Sequence, residues 1–559
     1  MFRTVAAVGL TVLLTTSLLT TGAFAAMDMP MGVPQTLSGW AKGAQQFPNL
    51  GNFHRKISTK SEAAQAYFDQ GMRFIFAFNH DEATRSFAKA AELDPTCASC
   101  LWGVGLTLGP NYNMPMMAEA RAKVGWGAVE KAKSLPATPV EHALIVALES
   151  RFDKAKGLDP VSGPPLVNAY ADAMKKVAAQ YPNDLDVQVL YAEALMNKNP
   201  WKLWGADGKP GADTDEIVAI LEKVLAKDVN HPGANHYYIH ALEASPHPEK
   251  ALAAANRLGG MMPAAGHLEH MPAHIYQRVG RYEASAEANR KGAVADAKYY
   301  KQTAALDYYP MYTSHNYQFL ASSAAMEGRK AETVDAVAKS RASISDDLLA
   351  GMGGVDWYVA FSYQAMLRFG LWDAALAAPA PSAKLPGLTV AYLEARATAL
   401  AVKGRVDEAD KAAAAMDAAI AATPADYRCG QNWAKDCYAV SSLRTHGRIA
   451  LARHQTEKGL GLLRQAVARE DKLGYDEPSD AFFPTRHVLG AQLLVAGKAA
   501  DAEAVYRADL KQNAENGWAL YGLKAALDAQ GKRAESAAVG KRFAAAWKHA
   551  DVMLTASAY

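Results

Sequence analysis

The sequence predicts an all-α protein built as an extended array of short antiparallel helix pairs. Three observations carry this expectation. A chain of 559 residues is too long for one compact core, so it must divide into several domains or extend as repeats. From Ser61 onward it is Ala-rich, with apolar residues recurring at helical spacing, and Ser61-Glu62-Ala63 reads as a cap followed by helix formers. No sustained alternation of β-branched residues marks a sheet, so strands should be few.

The composition is that of a folded protein, with 50% hydrophobic and 21% charged residues. The formal net charge of +2 gives no electrostatic case for nucleic acid or an anionic membrane as partner. The N-terminus reads as an export signal over residues 1–25. Arg3 supplies the positive charge, Val5 to Leu19 the apolar stretch, and Ala23-Phe24-Ala25 a cleavage site. No later segment is apolar for long enough to span a membrane. The mature chain is therefore expected to be soluble and periplasmic or secreted. Residues 26–60 follow as an extended segment carrying Met27, Met29 and Met31.

Export bears on the four cysteines, because an oxidising compartment favours disulfides. Cys429 and Cys437 close a short loop and are expected to be bridged. The Cys97-Ala-Ser-Cys100 pair fits a local disulfide, a redox pair or a pair of metal ligands. Leu101 follows it where a haem-attachment motif would need His.

The stretch from Ala64 to Pro95 resembles the tetratricopeptide repeat through Tyr67, Gly71, Phe74, Ala83, Phe87, Ala90 and Pro95. Near the C-terminus Gly490, Leu493, Gly497, Ala502 and Tyr506 match the same pattern, followed by Trp518, Gly522, Ala525 and Ala534. Gly490 and Gly522 stand 32 residues apart. Weaker units centre on residues 184–230, 232–260, 266–295, 314–340, 355–378 and 390–418. The resemblance implies a right-handed superhelical α-solenoid whose small residues let helices approach closely and whose concave face takes a peptide or protein partner. It divides the chain into an N-terminal unit with the CxxC and a loop (61–135), central units (136–345) and C-terminal units (346–559). GHLEHMPAHIYQRVGRY (residues 266–282) also resembles a motif of exported bacterial tetratricopeptide proteins. That likeness supplies no reaction. Three irregular stretches interrupt the array: Gly109–Met117, Asn197–Glu216 with Trp201 and Trp204, and Pro424–Cys437.

The candidate site lies between His231 and Tyr282. His236 and His240 are i and i+4, with Glu243 three residues on. His270 and His274 are also i and i+4, with His267 three residues before. Such spacings put side chains on one helix face, and imidazole with carboxylate is a common ligand set for transition metals. With Gly280 and Ala251 set on the repeat's consensus small positions, both rows fall on groove-facing positions of consecutive units. His315 joins them from the next. Copper, zinc or iron all suit these ligands. Nearby methionines (Met114, Met116, Met117, Met261, Met262, Met271) would favour copper(I), although methionine more often fills core. Glu243 is the candidate general base to a metal-bound water. Tyr237, Tyr276, Arg278 and Asn316 are candidates to support the ligands or to contact a bound molecule. HExxH, phosphate-binding glycine loops and G-x-S-x-G are absent, which removes the support for zincin, nucleotide-binding and α/β-hydrolase readings. Isolated histidines bonded to neighbouring tyrosines, or a groove that binds peptide without metal, are the competing readings.

Overall fold

A computed structural model describes residues 33–559, apart from 160–161 and 304–308. The expected signal segment and Met27, Met29 and Met31 lie outside the described residues. The array begins at Glu62–Phe76, whose N-cap Ser61 accepts a hydrogen bond from the Ala64 amide, as the sequence suggested. It pairs with His80–Leu93. Their contact is set by side-chain size: a Cβ at Gly71 would stand 2.6 Å from the Phe87 ring, and one at Gly103 would stand 2.5 Å from it. Phe87 is thus wedged between its own pair and the helix that opens the next, Ala98–Leu108. The C-terminal end repeats the arrangement. Tyr506 on Ala499–Gln512 fills the space left by Gly490 on Thr485–Val495 and Gly522 on Gly517–Ala529.

Pair follows pair between these ends. Leu185–Met196 packs with Thr214–Lys227, Pro232–Leu242 with Leu252–Leu258, Tyr309–Met326 with Lys330–Ala342, and Pro386–Val402 with Val406–Ala422. Glu119–Lys133 falls within the expected N-terminal unit, while Pro139–Glu149, Gly163–Gln180 and the pair Ala434–Ala452/Thr456–Glu470 add helices on which the sequence centres no repeat. Among the described residues the only sheet is a two-residue hairpin, Arg428–Cys429 against Asn432–Trp433. No described helix is long and apolar enough to cross a membrane.

Two main hydrophobic cores run through the array, one from Trp40 to Tyr309 and one from Ala286 to Val539. The ends fold back on the middle. Phe76, at the end of the first helix, packs so closely on Gly233 that a Cβ there would collide with its ring. Trp518 donates to the Ala325 carbonyl at 2.7 Å. The loop before Thr485 reaches the helices that carry the histidines, at the boundary between the two cores.

Cys97 and Cys100 form a disulfide with each other, as the first two of the three readings of their spacing allow. The bridge expected between Cys429 and Cys437 is not formed. Both are free, buried thiols. One lies on the hairpin and the other a turn into the next helix, and Asp480 from a distant loop sits against them.

Candidate metal centre

Four segments deliver the site. Pro232–Leu242 carries His236 and His240 and ends at Glu243. Gly266–His270 and Pro272–Arg278, joined through the helical Met271, carry His267, His270 and His274. Tyr309–Met326 carries His315. The loop after Thr456–Glu470 brings Glu477. Trp204, from the Gly-rich insertion, donates to the Ala241 carbonyl at 2.7 Å and ties the end of the first of these helices.

All six predicted histidines gather in one region, but in two groups where the sequence suggested one shared ion. His236, His240 and His267 form the first group, and His270, His274 and His315 the second. Within each, one ring nitrogen per residue lies within 4.8 Å of the others. Ring centroids of His240 and His274 are 6.0 Å apart, and those of His267 and His270 5.9 Å, so the groups adjoin.

In the first group, His236 Nδ1 lies 2.7 Å from the Phe76 carbonyl oxygen and His240 Nδ1 lies 3.0 Å from Glu243 Oε1. Both leave Nε2 buried and unpartnered, and both nitrogens of His267 are unpartnered. An imidazole fixed through one nitrogen, with the other bare, is the arrangement seen in metal-ligating histidines. In the second group His270 Nδ1 meets Asn289 Oδ1 at 2.6 Å, and His270 Nε2 faces His274 Nε2 at 2.8 Å. His315 Nδ1 lies 3.3 Å from Gln318 Oε1.

Glu243 joins the two groups. Oε1 engages His240, and Oε2 lies 2.8 Å from His274 Nδ1. Glu477 Oε2 reaches the same Nδ1 at 3.1 Å. Burial pushes the Glu243 carboxyl up, but the His240 and His274 imidazoles outweigh it and hold the group well below the usual range. So stabilised a carboxylate suits orienting imidazoles better than taking protons. Burial likewise pushes His274 down, and the two glutamates reverse this and raise it to about 10. Burial, then neighbouring imidazoles, keeps His236, His267 and His270 well below the ordinary histidine value and brings His315 to about 3.

A bulky ring closes the first group from the N-terminal side. Phe78 stacks on Tyr237, His240 and His267, with centroids 5.4, 5.6 and 5.8 Å away. Its φ of 50° lies in the left-handed region, a costly conformation for a residue of this size. Most corresponding turns of later pairs use glycine there, as at Gly280, Gly328, Gly404, Gly497 and Gly531, with His454 an exception. A cavity of about 260 Å³ opens beside both groups. His240, His267, His274 and His315 reach it, and Met114, Trp201, Tyr312 and Tyr358 are in its wall.

The supporting residues fare unevenly. Tyr237 packs against Phe78 and His236, with its hydroxyl buried and unpartnered. Asn316 donates to Asp296 at 2.8 Å and Tyr276 to Asn256 at 2.8 Å, so neither is bonded to a histidine of the site. Arg278 donates to the Ser245 carbonyl and lies over the Tyr475 ring, near the far side of the Glu477 loop. Of the methionines, Met114 lines the cavity, Met261 and Met262 line a different one, and Met271 is core. Sequence reasoning missed Glu477, Asn289 and Phe78. Their signals were an acidic DEPSD loop, one Asn in a helix and a non-glycine residue at a glycine turn.

Fold and site together define a class: an all-α helical-repeat protein with a buried polyhistidine centre. No family model and no curated protein matches the chain. Solved structures do. The Cut9–Hcn1 hetero-tetramer of the APC/C is similar at 12% identity and a TM-score of 0.30, over 88% of this chain and 76% of that one. Human IFIT1 as a dimer with m7Gppp-AAAA is similar at 11% identity and a TM-score of 0.30, over 92% of this chain and 96% of that one. Human IFIT1 with PPP-AAAA gives a TM-score of 0.32 at 11% identity, over 92% and 95%.

Proposed function

We propose that this chain is an exported helical-repeat protein that binds two transition-metal ions side by side, one in each histidine group. One observation carries the ion of the first group, and the second ion rests on the clustering of His270, His274 and His315. His236 Nε2, His240 Nε2 and both nitrogens of His267 are buried together without hydrogen-bond partners. Unpaired buried polar atoms are costly, and a shared cation removes that cost. Copper, zinc and iron all fit neutral imidazole ligands. Asn289, Glu243 and the Phe76 carbonyl would hold the rings in register, and the cavity gives a small molecule access to both groups. Such access is what a metal-dependent enzyme needs, and Glu243 and Glu477 would then set the charge around a bound molecule. Export rests on Arg3, the apolar Val5–Leu19 and Ala23-Phe24-Ala25. N-terminal sequencing of the mature protein should begin near Ala26.

Elemental analysis of protein purified without added metal, or dialysed against copper, zinc or iron and then desalted, tests the centre. Two ions per chain are expected at the histidine groups, beyond any ion that the buried thiols of Cys429 and Cys437 take up. His240→Ala with His274→Ala should lose both while far-ultraviolet circular dichroism stays unchanged. Equal metal content in the wild type and this variant under all of these conditions would overturn the reading and leave a peptide-binding scaffold in its place.

A further inference from the structure

A second ligand cluster stands apart from the histidines. Cys429 is on the first strand of the small hairpin, Cys437 is one turn into Ala434–Ala452, and Asp480 comes from the loop that also carries Glu477. One ligand atom from each lies within 4.8 Å of the others, and all three residues are buried. Cys437 Sγ donates to Asp480 Oδ2 at 3.6 Å, and Asn432 Nδ2 donates to the same oxygen at 2.7 Å.

The surroundings are built to keep these groups together. The Trp357 indole donates to the Asp480 carbonyl at 2.9 Å, and the Gln431 amide donates to Asp476 Oδ2 at 2.7 Å. Gly430, with φ of +52°, is where the hairpin crosses over the acidic loop. A Cβ there would collide with Asp476 Oδ2 and stand 2.9 Å from Asp480 Oδ1. The Arg428 guanidinium lies over the Trp433 ring and donates to the Gln431 carbonyl.

Two thiols against two carboxyl groups is an unfavourable set to bury without a cation. A bound divalent cation engages all three groups at once, because metal coordination deprotonates a thiol outright. We propose that Cys429, Cys437 and Asp480 bind a zinc-type, thiophilic divalent cation, a site separate from the histidine groups. Two thiolates and a carboxylate oxygen are ordinary zinc ligands, and water completes the tetrahedron. Loading displaces the two thiol protons to solvent. It also fixes Asp480, three residues from Glu477, so an occupied cysteine site steadies the loop that reaches His274.

Cobalt(II) is the probe, because thiolate ligation gives it a near-ultraviolet charge-transfer band that imidazole does not. The full mature chain, reduced and stripped of metal, should develop this band, and in the His240→Ala with His274→Ala variant it should saturate at one equivalent. His240→Ala with His274→Ala should keep the band, which separates this site from the histidine centre. Cys437→Ser and Cys429→Ser should each lose it, and zinc should protect both thiols of the wild type from alkylation. No band in the wild type, a band unchanged in the cysteine variants, or thiols alkylated equally with and without zinc would overturn the proposal. So would a Cys429–Cys437 disulfide in the protein as isolated. The protection measurement needs no variant, so a misfolded substitution cannot hide the answer.

Discussion

Glu477 Oε2 lies 3.1 Å from His274 Nδ1, although the two residues are 203 positions apart in the chain. This contact joins a loop of the C-terminal half to the histidine helices of the first core. It also gives His274 a second carboxylate beside Glu243. An imidazole between two carboxylates is oriented and made more basic, and loss of such a partner typically lowers metal affinity 10–100-fold. Glu477→Gln should therefore weaken one of the two bound ions by roughly that factor and leave the other in place. Metal titration of the variant by calorimetry checks this, and equal weakening of both ions would place Glu477 elsewhere in the scheme.

Phe78 gives a test of backbone strain at the centre. A left-handed residue of this size costs on the order of 1–2 kcal/mol, which glycine would relieve. Phe74, four residues earlier and equally buried, sits in a regular helix where glycine itself costs about 1 kcal/mol more than alanine. Both substitutions remove a core ring, at about 3–5 kcal/mol. Phe78→Gly should thus destabilise less than Phe74→Gly by about 2 kcal/mol in urea unfolding. It should nonetheless loosen metal at the first histidine group, whose rings it packs against.

The repeat frame was legible because close packing forces glycine and an aromatic residue into fixed positions. Gly71 with Phe87, and Gly490 and Gly522 with Tyr506, are recognisable in the sequence for the same steric reason that makes them necessary in the structure. The histidines were legible because i,i+4 spacing fixes direction on a helix. Their division into two groups was not, since it depends on how far each helix is advanced against its neighbour. Glu477 and Asp480 were hidden because a loop has no period, and nothing local says which surface it will meet. Cys429 and Cys437 misled for a related reason: a short separation shows that two sulfurs can meet, while the carboxylate beside them comes from a distant loop.

Gly71→Leu and Gly522→Leu test the frame itself. At Gly71 even a Cβ would stand 2.6 Å from Phe87, and at Gly522 it would overlap Tyr506. Overpacking of this kind costs about 1–3 kcal/mol or more, because the ring must leave its rotamer or the helices must part. Both variants should melt at lower temperature than the wild type. Gly461→Leu, at a helix position with open space around its Cβ, should not.

His80 isolates a pH effect from the metal centre. It is buried, and burial first, then the Arg151 and Arg121 charges, lowers it to about 3. Because the folded value lies below the unfolded one, near 6.5, the unfolded chain takes up this proton first as pH falls. The stabilising contribution is therefore complete above about pH 6.5 and is lost between there and about pH 3. At pH 5 the loss from this one residue is about 2 kcal/mol. The wild type alone does not reveal it, because other groups oppose it. Burial raises Glu193 and Glu477 to about 7, and folded carboxyls that stay protonated gain stability as pH falls. Comparison with His80→Gln removes those shared contributions. Between about pH 7.5 and about pH 5 the metal-free variant should lose about 2 kcal/mol less stability in urea than the metal-free wild type. Parallel pH profiles for the two proteins would mean that His80 takes up its proton in the folded state as readily as in the unfolded chain.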